Sequence, residues 1–283
     1  MKNTKNNREI WLNKIYETLM IGGRSNQTFL NYKSHIKRFL NNYSEDTDIS
    51  LLNENDILEY LKINYLNLNR CNDTLNMAEC SIKFLFSICF DKELNKKKLP
   101  SCKIKKRIPT ILPKNLFIKI FNDETCLKYK CWLILAFCSG LRVDEIAKLK
   151  IDNLNSKEHK IRVLGKGNKE RYTILPDITI KILGLYCKKI NLKSGYLFSG
   201  TTNKEHMNSK TIINYFSSLK TKYSLNKNIT FHSLRHSFAT YYLSNGGSLL
   251  TLQSMLGHSN LNTTTIYLHL SQNFNELEGI NYV

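Results

Sequence analysis

The sequence predicts a mainly α-helical protein with one small β-hairpin or sheet, organised as two domains. Three observations point there. Apolar residues recur every three to four positions along most of the 283 residues, the spacing of amphipathic helices. Three of the four prolines fall in "KKKLPSCKIKKRIPTILP" at 96–113, a break that suits neither a helix nor a strand ladder. One segment, "KIRVLGKGNKERYTILP", sets two β-prone arms around a Gly-Lys-Gly turn, which reads as a hairpin.

Residues 1–95 read as a small domain of four helices. Ser25 caps a segment with Phe29, Tyr32, Ile36, Phe39 and Leu40 on one stripe, and Asn53 precedes "ENDILEYLKINYL". Asn72 or Asp73 precedes a further stripe of Leu75, Ala78, Ile82, Leu85 and Cys89. Residues 96–113 read as an extended linker, with seven basic residues between Lys96 and Arg107. Lys103, Lys105, Lys106 and Arg107 are its candidate contacts to a phosphate backbone; a solvated tether would have the same composition. In the second domain, 114–283, helical patterns near 114–122 and 127–139 lead into "SGLRVDEIAKLK", then into the hairpin, and resume after Pro176.

The charge is uneven. A net +19 and a pI near 9.5 favour a polyanionic partner, with nucleic acid preferred over a membrane because no amphipathic basic helix or lipidation signal occurs. The first 98 residues carry +3 and the stretch from Lys114 onward +12. Eight cysteines without a C-x-x-C pair or a zinc-site spacing read as reduced thiols of a cytosolic protein. The start, "MKNTKNNREIWLNKI", lacks the apolar stretch of a signal peptide, and no run has the roughly eighteen apolar residues of a membrane span.

The chemistry concentrates in "ITFHSLRHSFATYYLSNGG". At about 100° per residue a helix brings His232, Arg235 and His236 to one face and turns Leu234, Phe238 and Tyr241 away. From His206 to Asn275 the chain has no Asp or Glu, yet it holds five of the seven histidines. The cationic face therefore lacks a nearby acidic partner, and its anion is either external or a distant carboxylate folded back. Arg142 and Glu145, Lys166 between two glycines, His258 after a helix-stopping glycine, and Tyr267 each have an ordinary reading when taken alone. These are, respectively, a surface ion pair, a turn lysine, a cap, and one tyrosine of fifteen.

In the order R, K, H-x-x-R, H, Y, these pieces resemble the tyrosine recombinase (phage-type integrase, Xer-like) family. "SGLRVDEIAKL" is similar to its first arginine box and "GKGNKERYTILP" to its lysine hairpin. "HSLRHSFATYYLSNGGSLLTLQSMLGHSNLNTTTIYLHL" resembles the second box through to the nucleophile. The specific likeness spans 139–270, and "SNQTFLNYKSHIKRFL" is similar to the family's helical core-binding (SAM-like) domain.

The resemblance implies a two-domain clamp on duplex DNA, with Tyr267 as the nucleophile that forms a 3′-phosphotyrosine. Arg142 and Arg235 would hold the non-bridging oxygens of the phosphate, and His232 would receive the tyrosine proton. His258 would position the phosphate, and Lys166 would protonate the leaving 5′ oxygen. Glu145 and His236 would support them, the latter mainly as a structural residue. No cofactor and no metal are implied. Expected partners are duplex DNA with an inverted-repeat recombination site, three further copies of the chain in a tetramer around a Holliday junction, a trans contact from the tail 271–283, and an accessory protein. The expected location is cytoplasmic and nucleoid-associated, with no membrane. Two other readings stay open: a non-catalytic DNA-binding regulator of the same fold, and a type IB topoisomerase-like activity.

Overall fold

Local hydrogen bonds set where the first helices begin. The computed structural model describes residues 5–103, 108–165, 170–200, 205–257, 264, 265 and 267, and the chain divides into two compact units, Met1–Lys106 and Arg107–Val283. In the first, α1 (Lys5–Ile21), α2 (Asn26–Leu40), α3 (Glu54–Leu61) and α4 (Asn72–Phe90) surround one core. Ser25 Oγ accepts the Thr28 N–H at 3.3 Å, starting α2. Asp56 Oδ2 accepts the Asn53 N–H and Asn53 Oδ1 accepts the Asn55 N–H, each at 2.8 Å, in a capping box for α3. Residue Cys71, not Asn72 or Asp73, is the cap of α4. The Asn72 side chain is spent elsewhere, donating to the Lys103 carbonyl at 2.9 Å.

The apolar stripes meet as their spacing requires. Ile15, Ile36, Ile57 and Ile82 are fully buried, and the Phe39 ring packs edge-on against Tyr60 and Phe86 at 5.0 and 6.2 Å. Each such side chain stabilises the unit by about 1.5–3 kcal/mol. Within the basic segment 96–113, Leu99 joins this core while Leu112 joins that of the second unit. Lys105, Lys106 and Arg107 lie outside the described residues.

The second unit is built on α6 (Leu127–Ser139). Every residue from Cys131 to Ser139 is buried, as the run "CWLILAFCS" demands. Around it the described residues add α5 (Lys114–Asp123), α7 (Val143–Ala147), α8 (Asp177–Lys189), α9 (Ser209–Lys222), α10 (Phe231–Ser244) and α11 (Leu249–Leu256). Strands β1 (Leu154–Asn155), β2 (Lys160–Leu164) and β3 (Glu170–Ile174) form an antiparallel sheet in that order, with Val163 opposite Arg171 and Ile161 opposite Thr173. The protein is thus mainly helical with one small three-stranded sheet. The hairpin arms are β2 and β3, and Lys166, expected at its tip, lies outside the described residues. Among the described residues no helix is long and apolar enough to cross a membrane.

Two contacts decide what α10 can do. Its partners are α6 on one side and α9 and α11 on others, so it is buried nearly all round. The spacing puts Arg235 on the cationic face, opposite the apolar one, yet Arg235 is 1% exposed. The helix was expected to pack along one stripe, and three neighbours enclose it instead. Gly140 ends α6 with φ +66°, and a Cβ there would stand 2.4 Å from Phe238 Cδ1 of α10. Only glycine fits both demands, and the close approach brings the Gly140 carbonyl within reach of Arg235.

Candidate active site

Arg142 precedes α7 and points its backbone N–H at Glu145 Oε2, 2.7 Å away, while its Nη1 donates to Oε1 at 3.0 Å. The Arg142–Glu145 pairing at i,i+3 is one part of a larger cluster. Arg171 of β3 donates Nη1 and Nη2 to the two Glu145 oxygens at 2.8 and 2.7 Å, a bidentate match between a planar fork and a carboxylate. Arg235 Nη1 lies 3.8 Å from Glu145 Oε2. One carboxylate therefore sits among three guanidiniums. The acidic partner missing from 206–275 is Glu145, folded back from α7, and the face does not depend on an external anion alone.

The cluster keeps a positive surplus. Burial alone would raise the Glu145 carboxyl; the hydrogen bonds and charge of Arg171, the Arg142 N–H and the charge of Arg235 overcome it and hold the group at about 2. Burial and the nearby Arg142 pull the Arg235 guanidinium down to about 9, with Glu145 opposing. Both stay charged at neutral pH. Arg235 is oriented by two carbonyls, donating Nη1 to Gly140 O and Nη2 to Leu256 O, each at 2.6 Å. Arg142, with 38% of its side chain exposed, is the cluster's opening to solvent.

His232 lies on the exposed side of α10. Desolvation of its ring, then the charges of Arg235 and Arg142, lower its pKa, so it is neutral at pH 7 and able to accept a proton. Its ring stands edge-on to His236 at 4.5 Å. His236 in turn shares a hydrogen bond of 2.7 Å between Nδ1 and Tyr267 Oη. Sequence alone marked His236 as structural because nothing in the chain order announced that contact. Tyr267 is 3% exposed, packed with Phe238, Leu243, Leu252 and Leu256. Burial raises its pKa against the opposing pull of Arg235 and Arg142, so the phenol keeps its proton at neutral pH.

Six predicted residues thus converge: Arg142, Glu145, His232, Arg235, His236 and Tyr267. Lys103 is an exposed residue of the first unit, and Lys166 and His258 lie outside the described residues. Arg171 was missed. Period-two reading of "ERYTI" could have found it, because Arg171 and Thr173 take the inward phase of β3 while Glu170 and Tyr172 face outward. A buried arginine on a strand needs an acid, and the nearest ones along the chain do not serve.

Comparison with known proteins bears on the whole chain. The profile of the phage integrase family matches residues 115–273. A tyrosine recombinase of Thermosipho africanus is 28% identical over 261 residues, covering 87% of this chain and 90% of its own. Tyrosine recombinase XerD of Staphylococcus epidermidis is 29% identical over 269 residues, covering 88% and 90%. XerH site-specific recombinase bound to palindromic difH substrate superposes with a TM-score of 0.70 at 21% identity, over 88% of this chain and 78% of the other. The lambda integrase dimer bound to a COC′ core site gives 0.72 at 20% identity, over 97% and 80%. These two share the fold. The profile match takes in more than half of the chain, from α5 past Tyr267, and the chain belongs to the phage integrase family of tyrosine recombinases.

Proposed function

We propose that this enzyme is a site-specific recombinase that cuts and rejoins duplex DNA through a 3′-phosphotyrosine and a Holliday junction. The observation that carries the proposal is the overbalanced cluster of Arg142, Arg171 and Arg235 on one carboxylate, beside a neutral His232 and a tyrosine held on His236. A phosphodiester brings the negative charge that such a cluster lacks. Arg142 and Arg235 hold its non-bridging oxygens and stabilise the charge that grows on them in the transition state.

Tyr267 Oη attacks phosphorus, forming a tyrosyl O–P bond as the P–O5′ bond breaks. His236 holds the phenol beforehand, and His232 takes its proton once the phosphate is seated. Lys166 supplies a proton to the departing 5′ oxygen, and His258 steadies the five-coordinate phosphorus. The bond energy is kept in the phosphotyrosine, so a 5′-hydroxyl from a second duplex reverses the step and joins new strands without a further energy source. Two protomers bind each inverted-repeat site and four form the synapse, with the tail 271–283 reaching a neighbour and an accessory protein ordering the sites. Lys103, Lys105, Lys106 and Arg107 lie along the DNA backbone. The reaction serves chromosome-dimer resolution or mobile-element movement at the cytoplasmic nucleoid.

The test is covalent capture. Genomic fragments incubated with the protein, then denatured, should yield strands attached through their 3′ ends, and sequencing their ends maps the cut. A duplex nicked beside that point should trap the adduct with wild type and not with Tyr267→Phe. No adduct from wild type, or an undiminished one from Tyr267→Phe, removes the mechanism. Supercoil relaxation without site preference would favour a topoisomerase instead.

A further inference from the structure

Arg171 hydrogen-bonds none of the side chains assigned to the reaction, yet it ties the central carboxylate of the cluster to the end of α11. Its Nη1 and Nη2 hold both oxygens of Glu145, and its Nε donates to Met255 O at 2.7 Å. The next carbonyl, Leu256 O, accepts from Arg235 Nη2. Two successive carbonyls at the end of α11 are therefore capped by two arginines, and Glu145 bridges those arginines from the other side. The contacts close a ring: Arg171 to Met255, along the backbone to Leu256, to Arg235, to Glu145, and back to Arg171.

The ring is tightly built. Arg171 is 9% exposed and pairs across the sheet with Val163. Gly257 follows α11 at φ +63°, and a Cβ there would lie 2.8 Å from Arg171 Cδ, so the glycine that ends α11 also makes room for the arginine stem. Glu145 passes the constraint on to Arg142 through two hydrogen bonds. Strand β3, helix α7 and the end of α11 come from separate parts of the chain, and one guanidinium, carried by the first, bonds to the other two.

We propose that Arg171 is a positioning residue that fixes Arg142 and Arg235 in the geometry a scissile phosphate requires. The inference rests on the phosphoryl-transfer reading above. Lysine cannot replace it, because one ammonium on a flexible stem does not bridge a carboxylate with two parallel bonds while also reaching a carbonyl. Arg171→Lys keeps the charge and loses the frame. A misplacement of about 1 Å at such a site costs on the order of 100-fold in rate.

The experiment measures single-turnover adduct formation by full-length protein on the nicked duplex, with either an ordinary phosphate or a neutral methylphosphonate at the cut. DNA affinity and melting temperature are recorded in parallel. Arg171→Lys should bind DNA as wild type does, lose about 100-fold in rate on the phosphate, and lose under about tenfold on the methylphosphonate, whose transition state carries one negative charge fewer for the arginines to stabilise. The variant Arg171→Gln removes the fork while leaving Glu145 paired with Arg142 and Arg235, and should show the same contrast. An unchanged rate, an equal loss on both substrates, or fold and DNA binding lost in step with cleavage would overturn the proposal. If wild type itself forms no adduct, the parent mechanism falls and this one with it; an adduct from wild type and an equal one from Arg171→Lys sinks only the positioning role.

Discussion

Each unit of the molecule hides a glutamate, and the two are treated very differently. In the first, Glu79 on α4 is 2% exposed and among the described residues meets one cation, Lys83, at 2.5 Å, with Ser101 Oγ at 3.4 Å. Lys83 also donates to Leu99 O at 2.9 Å. Charge is balanced one to one, and the result is a strap that fastens residues 99–101 onto α4. In the second, Glu145 has three arginines. A balanced pair holds a fold together; an overbalanced one leaves charge for something that arrives later. The hydrogen bonds look alike, and only the count of charges separates structure from readiness to bind an anion.

That contrast can be broken most forcefully at Arg235. Arg235→Lys cannot span Gly140 O and Leu256 O, and single-turnover cleavage should fall about 100- to 1,000-fold, the loss typical of a transition-state donor. An adduct rate within a factor of about three of wild type would place the cluster outside the chemistry.

Acid titration sharpens the comparison next. Glu145 is held at about 2 against an ordinary 4.5, so its carboxylate contributes about 3 kcal/mol of folding stability. The sign follows from the lowered value: the contribution is whole above pH 4.5 and is lost as pH falls toward 2. Urea melts across that range should show wild type losing stability that Glu145→Gln, less stable at neutral pH, does not lose.

Glu79→Gln should act on the fold alone. Lys83 keeps 23% of its side chain exposed and can rehydrate, so the cost is about 1–2 kcal/mol in a denaturant melt, with cleavage per folded molecule unchanged. A cleavage defect would mean that the strap also serves the reaction. The smallest effect is expected from pH near neutrality. His232 titrates below its usual 6.5, so cleavage should stay level from about pH 8 to about pH 6.5 and decline only below; a decline beginning above that point would remove His232 as the base.

What the chain order reveals follows from the range of the forces involved. Helix stripes, the Ser25 and Asn53 caps and the glycine stop at Gly257 are local, and residue spacing announces them. The arms of the hairpin are likewise local. Arg171 escaped notice because its partners Glu145 and Met255 stand 26 and 84 positions away. The same holds for the bond between His236 and Tyr267, 31 positions apart. The burial of Arg235 is hidden from the sequence for another reason: amphipathic reasoning assigns one buried face per helix, and α10 is enclosed by α6, α9 and α11. The acid-free stretch around it left the partner open, since Glu145 lies upstream of that window and still reaches the cluster.

The surplus charge around Glu145 is tested most directly by a crystal structure of Tyr267→Phe bound to duplex DNA carrying the mapped cut. The expected result is one backbone phosphate with its non-bridging oxygens at about 3 Å from the guanidiniums of Arg142 and Arg235, and the ring of residue 267 from the same or a neighbouring protomer beside it. A DNA path that leaves that cluster facing only solvent, with residue 267 remote from every phosphate, would contradict it.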